Sequence, residues 1–170
     1  MPRTWAVAVL LVLLPMAAGC ATAHRPGSAA RSTPSGPAAG RGGKRALAAA
    51  YLAIAQPANR RLDAEVDAFT DHQHQDLAAA EAALRAEAAT EGRVDRPLAR
   101  IPFPPSLAST VRALIQANQR RVMLTVQQAA STSLTGLASF TARHRAADAA
   151  VEAQVRILRR ALHLPPPANS

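Results

Sequence analysis

The sequence predicts an all-α fold, an antiparallel three-helix bundle with an extra N-terminal helical segment. Alanine and leucine dominate residues 45–163, and alanine has the highest helix propensity. Apolar residues there recur at steps of three and four, which is the spacing of one helix face. Glycine is nearly absent after Gly43, whereas prolines cluster in a few places where helices are expected to end.

Residues 1–19 have the organisation of an export signal. Arg3 gives a short basic start, an apolar run follows from Ala6 to Leu14, and small residues precede Cys20. The apolar run is too short to span a bilayer. We therefore expect residues 1–19 to be a signal peptide that is removed.

Cys20 is the only cysteine in the sequence, and it directly follows the small residues that end the predicted signal peptide. The segment Ala17-Ala18-Gly19-Cys20 resembles the lipobox of bacterial lipoproteins, in which the peptide is cut before the cysteine and the thiol carries a diacylglycerol. The resemblance implies that Cys20 is lipidated and holds the chain at the outer face of the cell membrane. The alternative is cleavage after Ala23, within Ala21-Thr22-Ala23, which would release a secreted protein.

Residues 20–44 are predicted to be the lipidated cysteine and a flexible basic linker. They are rich in Ala, Gly, Ser, Pro and Arg and show no apolar periodicity, so they offer little surface to bury. They carry basic residues and no acidic ones. Near an anionic bilayer the linker would add electrostatic attraction to the lipid anchor, although exported linkers are often basic by composition alone. The expected partners are the membrane, through the lipid, and anionic lipid headgroups or wall polymers, which the basic C-terminal helices could face if they do not face the acidic helix.

The first helical stripe runs from Leu47 to Leu84. Pro57 interrupts it, and a proline removes a backbone hydrogen bond inside a helix. We predict a kink or a break near Gln56, with a helical segment at 45–56 and a helix at 58–91.

The second half of the chain is predicted to hold two more helices, at 106–131 and 137–163. Four prolines between residues 92 and 105 indicate an extended connector, and the pair Pro104-Pro105 can open a helix. Ser131-Thr132-Ser133 and Gly136 favour a turn near 131–137. The stripe keeps its phase through this turn, so the alternative is one helix from 106 to 163, in a long two-helix hairpin. Residues 45–163 form the predicted bundle domain and 164–170 a disordered tail.

Charge is segregated along the chain. Residues 62–95 hold nine acidic and two basic residues, while 96–170 hold ten arginines and two acidic residues. The acidic helix is expected to lie against the basic helices and to select their pairing. Individual exposed ion pairs would add only about 0–1 kcal/mol each.

Asn59, Asp63, Asn118 and Arg121 are a candidate polar layer. Asn59 and Asp63 lie four residues apart on one helix face, and Asn118 occupies an inner position of another helix. With antiparallel helices in the right register they could meet inside the bundle. The layer could then bind a small polar ligand or, as we favour, fix the helix register.

The segment Asp71–Asp76 is the candidate metal site that we reject. His72 and Asp76 have the four-residue spacing of one helix face, and His144 could come from another helix. However, His72 and His74 are two apart and point to different faces. We interpret the segment as a solvated polar turn and predict no metal and no cofactor.

Catalysis and nucleic-acid binding are not predicted. Ser131–Thr135 clusters hydroxyl groups, but no glycine-flanked nucleophile and no phosphate-binding glycine loop accompany it. Despite a sequence pI near 11.6, aromatic residues make up only 3% of the chain, so platforms for base stacking are missing.

Three further segments carry a resemblance. Tyr51–Asp63, Ile101–Pro104 and Ala117–Arg121 are similar to segments of small helical lipoproteins of unassigned function from GC-rich Gram-positive bacteria. The resemblance covers most of 45–167 and implies no catalytic residues. The chain is thus interpreted as a lipid-anchored, extracytoplasmic helical lipoprotein with a non-enzymatic binding or structural role at the cell surface. The alternative is a small-ligand or metal-binding bundle.

Overall fold

The chain is helical throughout the part that the structure describes. A computed structural model describes the backbone of residues 37–167 and side chains from residue 43. Its helices are α1 (Pro37–His72), α2 (Leu77–Ala99), α3 (Pro105–Ala129), α4 (Leu134–Ala138) and α5 (Thr141–Ala161). The all-α helical bundle is confirmed. The predicted signal peptide, Cys20, the linker up to residue 36 and the tail residues 168–170 lie outside the described residues.

The four long helices pack in chain order. α1 packs on α2, α2 on α3, and α3 on α5. Because short connections join these neighbours, successive long helices run antiparallel. The start of α1 and the end of α5 therefore lie at one end of the bundle, and the α1–α2 turn lies at the other.

α1 corrects two predicted boundaries. It begins at Pro37, inside the predicted linker 20–44, and it continues through Pro57 instead of breaking near Gln56. Proline is favoured at the first helical position. Pro57 cannot donate to the carbonyl of Ala53, but both residues are exposed, so water can satisfy that carbonyl.

The chain reverses at residues 73–76, which corrects the predicted helix 58–91. Gln73 N–H donates to the carbonyl of Phe69 at 2.8 Å as α1 ends. Asp76 then caps α2, since its Oδ1 accepts the N–H of Ala79 at 3.0 Å. An N-terminal Asp satisfies an otherwise unpaired helix N–H. The bundle therefore has four long helices where the sequence predicted three and an extra segment.

The remaining boundaries lie close to those predicted. α2 continues past Gly92 to Ala99, which shortens the predicted connector 92–105, and Pro105 opens α3 as expected. α3 ends at Ala129, and the predicted turn near 131–137 contains the short helix α4. The single helix over 106–163 and the two-helix hairpin are thus excluded.

Two apolar clusters fill the bundle, one toward each end. The larger contains the buried residues Ala48, Tyr51, Leu98, Val111, Leu114, Leu158 and Leu162. The smaller contains Ala80, Leu84, Ala129 and Leu137, with Phe69, Leu77 and Leu134 packed against it. Along α2 the buried Glu87 and Glu91 lie between the two clusters. A charged layer therefore separates the two halves of the core.

Residues 164–167 are packed, which corrects the predicted disordered tail 164–170 over this part. Arg159 Nε donates to the carbonyl of Pro165 at 2.7 Å. Leu164 packs on the larger apolar cluster, and Pro167 is buried. The three prolines stop the helix, as expected, but the chain beyond it folds back on the bundle.

None of the helices in the described part of the chain has the length and apolarity that a membrane span requires.

Candidate functional site

Arg121 on α3 is the centre of the charged layer. Its Nη2 lies 2.9 Å from Glu87 Oε1, its Nη1 pairs with Glu91, and its Nε lies 2.5 Å from Asp148 Oδ1. Each guanidinium nitrogen thus meets a different carboxylate, two from α2 and one from α5. The layer joins the three helices α2, α3 and α5.

Two neutral side chains extend the layer. Asn118, one turn before Arg121, donates through Nδ2 to the backbone carbonyl of Glu91 at 3.1 Å and to Asp95 Oδ1 at 2.9 Å. Thr90 donates through Oγ1 to Glu65 Oε1 at 2.8 Å. The bond between Thr90 and Glu65 connects α2 to α1. All four long helices therefore contribute to the layer.

The layer holds more negative than positive charge. The three carboxylates that surround the Arg121 guanidinium cannot all be compensated by one cation. Burial raises the pKa of Glu87, and Asp148 raises it further, although Arg121 opposes the shift. The buried position of Glu87 therefore disfavours its charged form, and Arg121 partly offsets this cost.

His144 lies beside the layer and is neutral at pH 7. Burial lowers the pKa of His144 to about 4, and the positive charge of Arg121 acts in the same direction. Its ring centroid is 6.5 Å from that of Phe140. A buried neutral imidazole next to a guanidinium is suited to hydrogen bonding and not to charge pairing.

A cavity of about 40 Å³ adjoins the layer. Glu87, Arg121 and His144 lie on its polar side, while Phe69 and Leu137 are among its apolar walls. This volume suffices for a few water molecules. It is far smaller than the clefts that enclose drug-sized ligands.

The structure brings together two of the four predicted layer residues. Asn118 and Arg121 are one turn apart and both bind carboxylates of α2. Asn59 and Asp63 are half-buried on α1 and belong to none of the bonds described above. The α1 side chain that bonds to α2 is Glu65.

The carboxylates of this layer were not among the predicted site residues, and His144 was considered only as a possible metal ligand. Glu87, Glu91 and Asp95 continue the inner face of α2 beyond Leu84 at steps of three and four. That continuation of the apolar stripe by acidic residues is a signal that could have identified them. The four-residue spacing of His144 and Asp148, which places both on one face of α5, is a second such signal.

The segment Asp71–Asp76 is the turn between α1 and α2. Asp76 is occupied as the helix cap, while Gln75 Nε2 donates to the carbonyl of Asp71 at 2.9 Å. His144 is buried on α5, beside the charged layer. Among side chains of the described part, no group of three or more His, Cys, Asp or Glu residues could hold a metal ion.

The outer surface has the opposite charge to the layer. Exposed basic side chains in the described part are Lys44, Arg45, Arg60, Arg61, Arg85, Arg93, Arg96, Arg100, Arg112, Arg120, Arg143, Arg145, Arg156 and Arg160. Exposed acidic side chains there are Asp67, Asp71 and Asp76. The other carboxylates are buried or half-buried, so the folded chain presents a cationic surface.

Comparison of the chain with models of known protein families, with curated proteins and with solved structures gives no match.

Proposed function

We propose that this protein is a lipid-anchored helical bundle with a non-enzymatic role at the outer face of the cell membrane, where it binds anionic material. Fourteen exposed basic side chains against three exposed acidic ones in the described part are the observation that supports this proposal. Such an excess attracts anionic surfaces over distances of about a Debye length, near 10 Å at 0.1 M salt.

Folding increases an excess that the sequence already has, with 20 Lys and Arg residues against 11 Asp and Glu. The acidic residues of α2 could have neutralised the basic residues on the surface. Instead Glu87 and Glu91 are turned inward onto Arg121, which removes two negative charges from the surface for one positive charge. The register that the charged layer selects thus adds to the cationic character of the surface.

The charged layer supports a structural role for its residues. Arg121 has a carboxylate partner on each of its three nitrogens. Three of the five N–H donors of this guanidinium are thus used in internal pairs, and its side chain is only 12% exposed. This arrangement supports a structural role for Arg121.

The location is proposed from Cys20 and its lipobox-like context. Metabolic labelling of a bacterial host with an alkyne analogue of palmitate tests it, with the wild-type chain and Cys20→Ala compared. We expect label on the wild-type chain and none on the variant. A wild-type chain that is exported but carries no label would refute the anchor and favour cleavage after Ala23.

A second candidate function is binding of a small polar molecule in the cavity beside His144. Both charged and apolar side chains line this cavity. A melting-temperature screen with small amides, amines and carboxylic acids tests it, with His144→Phe as the variant that fills the cavity. A compound that stabilises the wild-type chain and not His144→Phe would support this second function.

A further inference from the structure

We infer that the end of the bundle at which α1 begins is a docking surface for anionic phospholipid headgroups. The inference rests on the proposed function, which places the chain at the membrane, and it adds a partner and an orientation. We call this surface the cationic end and define it by Lys44, Arg45, Arg96, Arg100, Arg156 and Arg160.

The six side chains of the cationic end lie at one end of the bundle and are all exposed. They belong to the last turns of α2 and α5 and to the early part of α1. Lys44 Nζ lies 3.1 Å from His163 Nε2, directly after α5. This contact holds the early part of α1 beside the end of α5.

Among the residues that the structure describes, no exposed carboxylate accompanies these cations. Asp95 is the acidic residue closest in sequence to Arg96, but it is half-buried and accepts a hydrogen bond from Asn118. Glu152, one turn before Arg156, is half-buried as well. The fully exposed charged side chains of the cationic end are therefore all positive.

The opposite end of the bundle carries mixed charge. Asp67, Asp71 and Asp76 are exposed around the α1–α2 turn, and Arg143 and Arg145 are exposed at the start of α5. An anionic plane would therefore attract the cationic end and attract the opposite end weakly. The charge distribution orients the bundle with its axis directed at the plane.

The position of the proposed anchor favours the same orientation. Sixteen residues lie between Cys20 and Pro37, where α1 begins, and even fully extended they span only about 60 Å. α1 itself, with 36 residues, is about 54 Å long. The opposite end could reach the bilayer only on an almost fully stretched tether, whereas the cationic end needs no extension.

A planar headgroup layer suits this arrangement better than a linear polymer does. A polymer chain would be held by cations in a row along the side of the helices. The six cations instead surround one end of the bundle, where α2 and α5 end. Each basic residue near an anionic bilayer strengthens binding by about fivefold.

Vesicle co-sedimentation tests the inference, with the full chain carrying Cys20→Ser so that no lipid contributes. The vesicles contain phosphatidylcholine alone or with 30% phosphatidylglycerol, and lipid-free cell-wall fragments serve as a third sediment. The test variant carries Arg96→Gln, Arg100→Gln, Arg156→Gln and Arg160→Gln. The matched control removes the same charge through Arg60→Gln, Arg61→Gln, Arg120→Gln and Arg145→Gln, and both must keep the melting temperature within a few degrees.

We expect binding to phosphatidylglycerol vesicles that weakens at least tenfold in the test variant and less than threefold in the control. Equal losses in both would overturn the docking end but leave a cationic surface that binds anionic material. Binding to wall fragments without binding to anionic vesicles would overturn the lipid partner and keep the proposed function. If the chain binds neither anionic vesicles nor wall fragments, both the docking inference and the proposed function are overturned.

Discussion

Arg121 Nη2 on α3 lies 2.9 Å from Glu87 Oε1 on α2, and the two side chains are only 12% and 6% exposed. Removing both charges from water is costly, so the pair is not itself evidence of high stability. Its effect is selective, because any other register of α2 against α3 would leave a charge buried without its partner. The same pair keeps acidic charge off the surface, on which the proposed function depends.

Removal of Arg121 should destabilise the fold strongly. Arg121→Gln leaves three carboxylates together in the core, and breaking a buried ion pair on one side costs about 3–5 kcal/mol. Arg120→Gln changes the exposed neighbour and should cost less than about 0.5 kcal/mol. Urea unfolding of both variants measures the difference. Equal small losses would mean that the layer does not define the register.

Glu87→Gln should have a much smaller effect than Arg121→Gln, and one that depends on pH. The pKa of Glu87 is raised in the folded state, so its contribution to stability is fully present below its unfolded pKa and is lost as pH rises through the folded value. A glutamine at this position does not ionise, so the variant does not lose this stability as the pH rises. The stability of Glu87→Gln relative to wild type should therefore increase from pH 4 to pH 8 in urea titrations. A relative decrease would show that Glu87 is needed as an anion.

His144 should make the fold sensitive to mild acid. The unfolded chain takes up a proton near pH 6.5, whereas the folded pKa is about 4. Stability is therefore lost as pH falls from 6.5 toward 4, by up to about 3 kcal/mol. His144→Gln cannot take up this proton, so the difference between wild type and variant should shrink or reverse over that interval. A constant difference in unfolding free energy would contradict the assignment.

Arg159 should hold the chain after α5. Its bond to the Pro165 carbonyl is 2.7 Å long, and Leu164 N–H donates to the Arg159 carbonyl at 2.9 Å. Arg159→Met keeps the apolar stem and removes the donor, a loss of about 1.5 kcal/mol for a charge-assisted bond. Hydrogen exchange at the Leu164 amide should accelerate about tenfold, while Arg160→Met, on the exposed neighbour, should leave it unchanged. If the Leu164 amide exchanges at the same rate in Arg159→Met as in the wild-type chain, packing alone holds residues 164–167.

The helical class was predictable because it depends on composition and on the three-and-four spacing, which runs through nearly all of residues 45–163. The number of long helices could not be predicted from the same spacing. The stripe continues in phase across Gln73, so periodicity alone cannot reveal the reversal there. Asp76 as a helix cap was the local signal, whereas the expected break at Pro57 did not occur because that position faces water.

The charged layer was only half predictable for a related reason. Asn118 and Arg121 are conspicuous as polar residues on an otherwise apolar face. Glu87 and Asp148 occur among many surface charges, and only the packing of three helices shows that they face inward. Sequence spacing gives the face of each helix, but it does not give the register at which the faces meet.

Membrane retention after a high-salt wash tests most directly the combination of a lipid anchor and a cationic surface. Envelopes from cells that produce the wild-type chain or Cys20→Ala are sedimented in 50 mM and in 1 M salt, where screening removes electrostatic binding. We expect the wild-type chain to sediment with the envelopes at both salt concentrations. The Cys20→Ala chain should sediment with them at low salt and be released at high salt. Wild-type chain released into the high-salt wash would contradict the anchor, and Cys20→Ala released already at low salt would contradict the anionic partner.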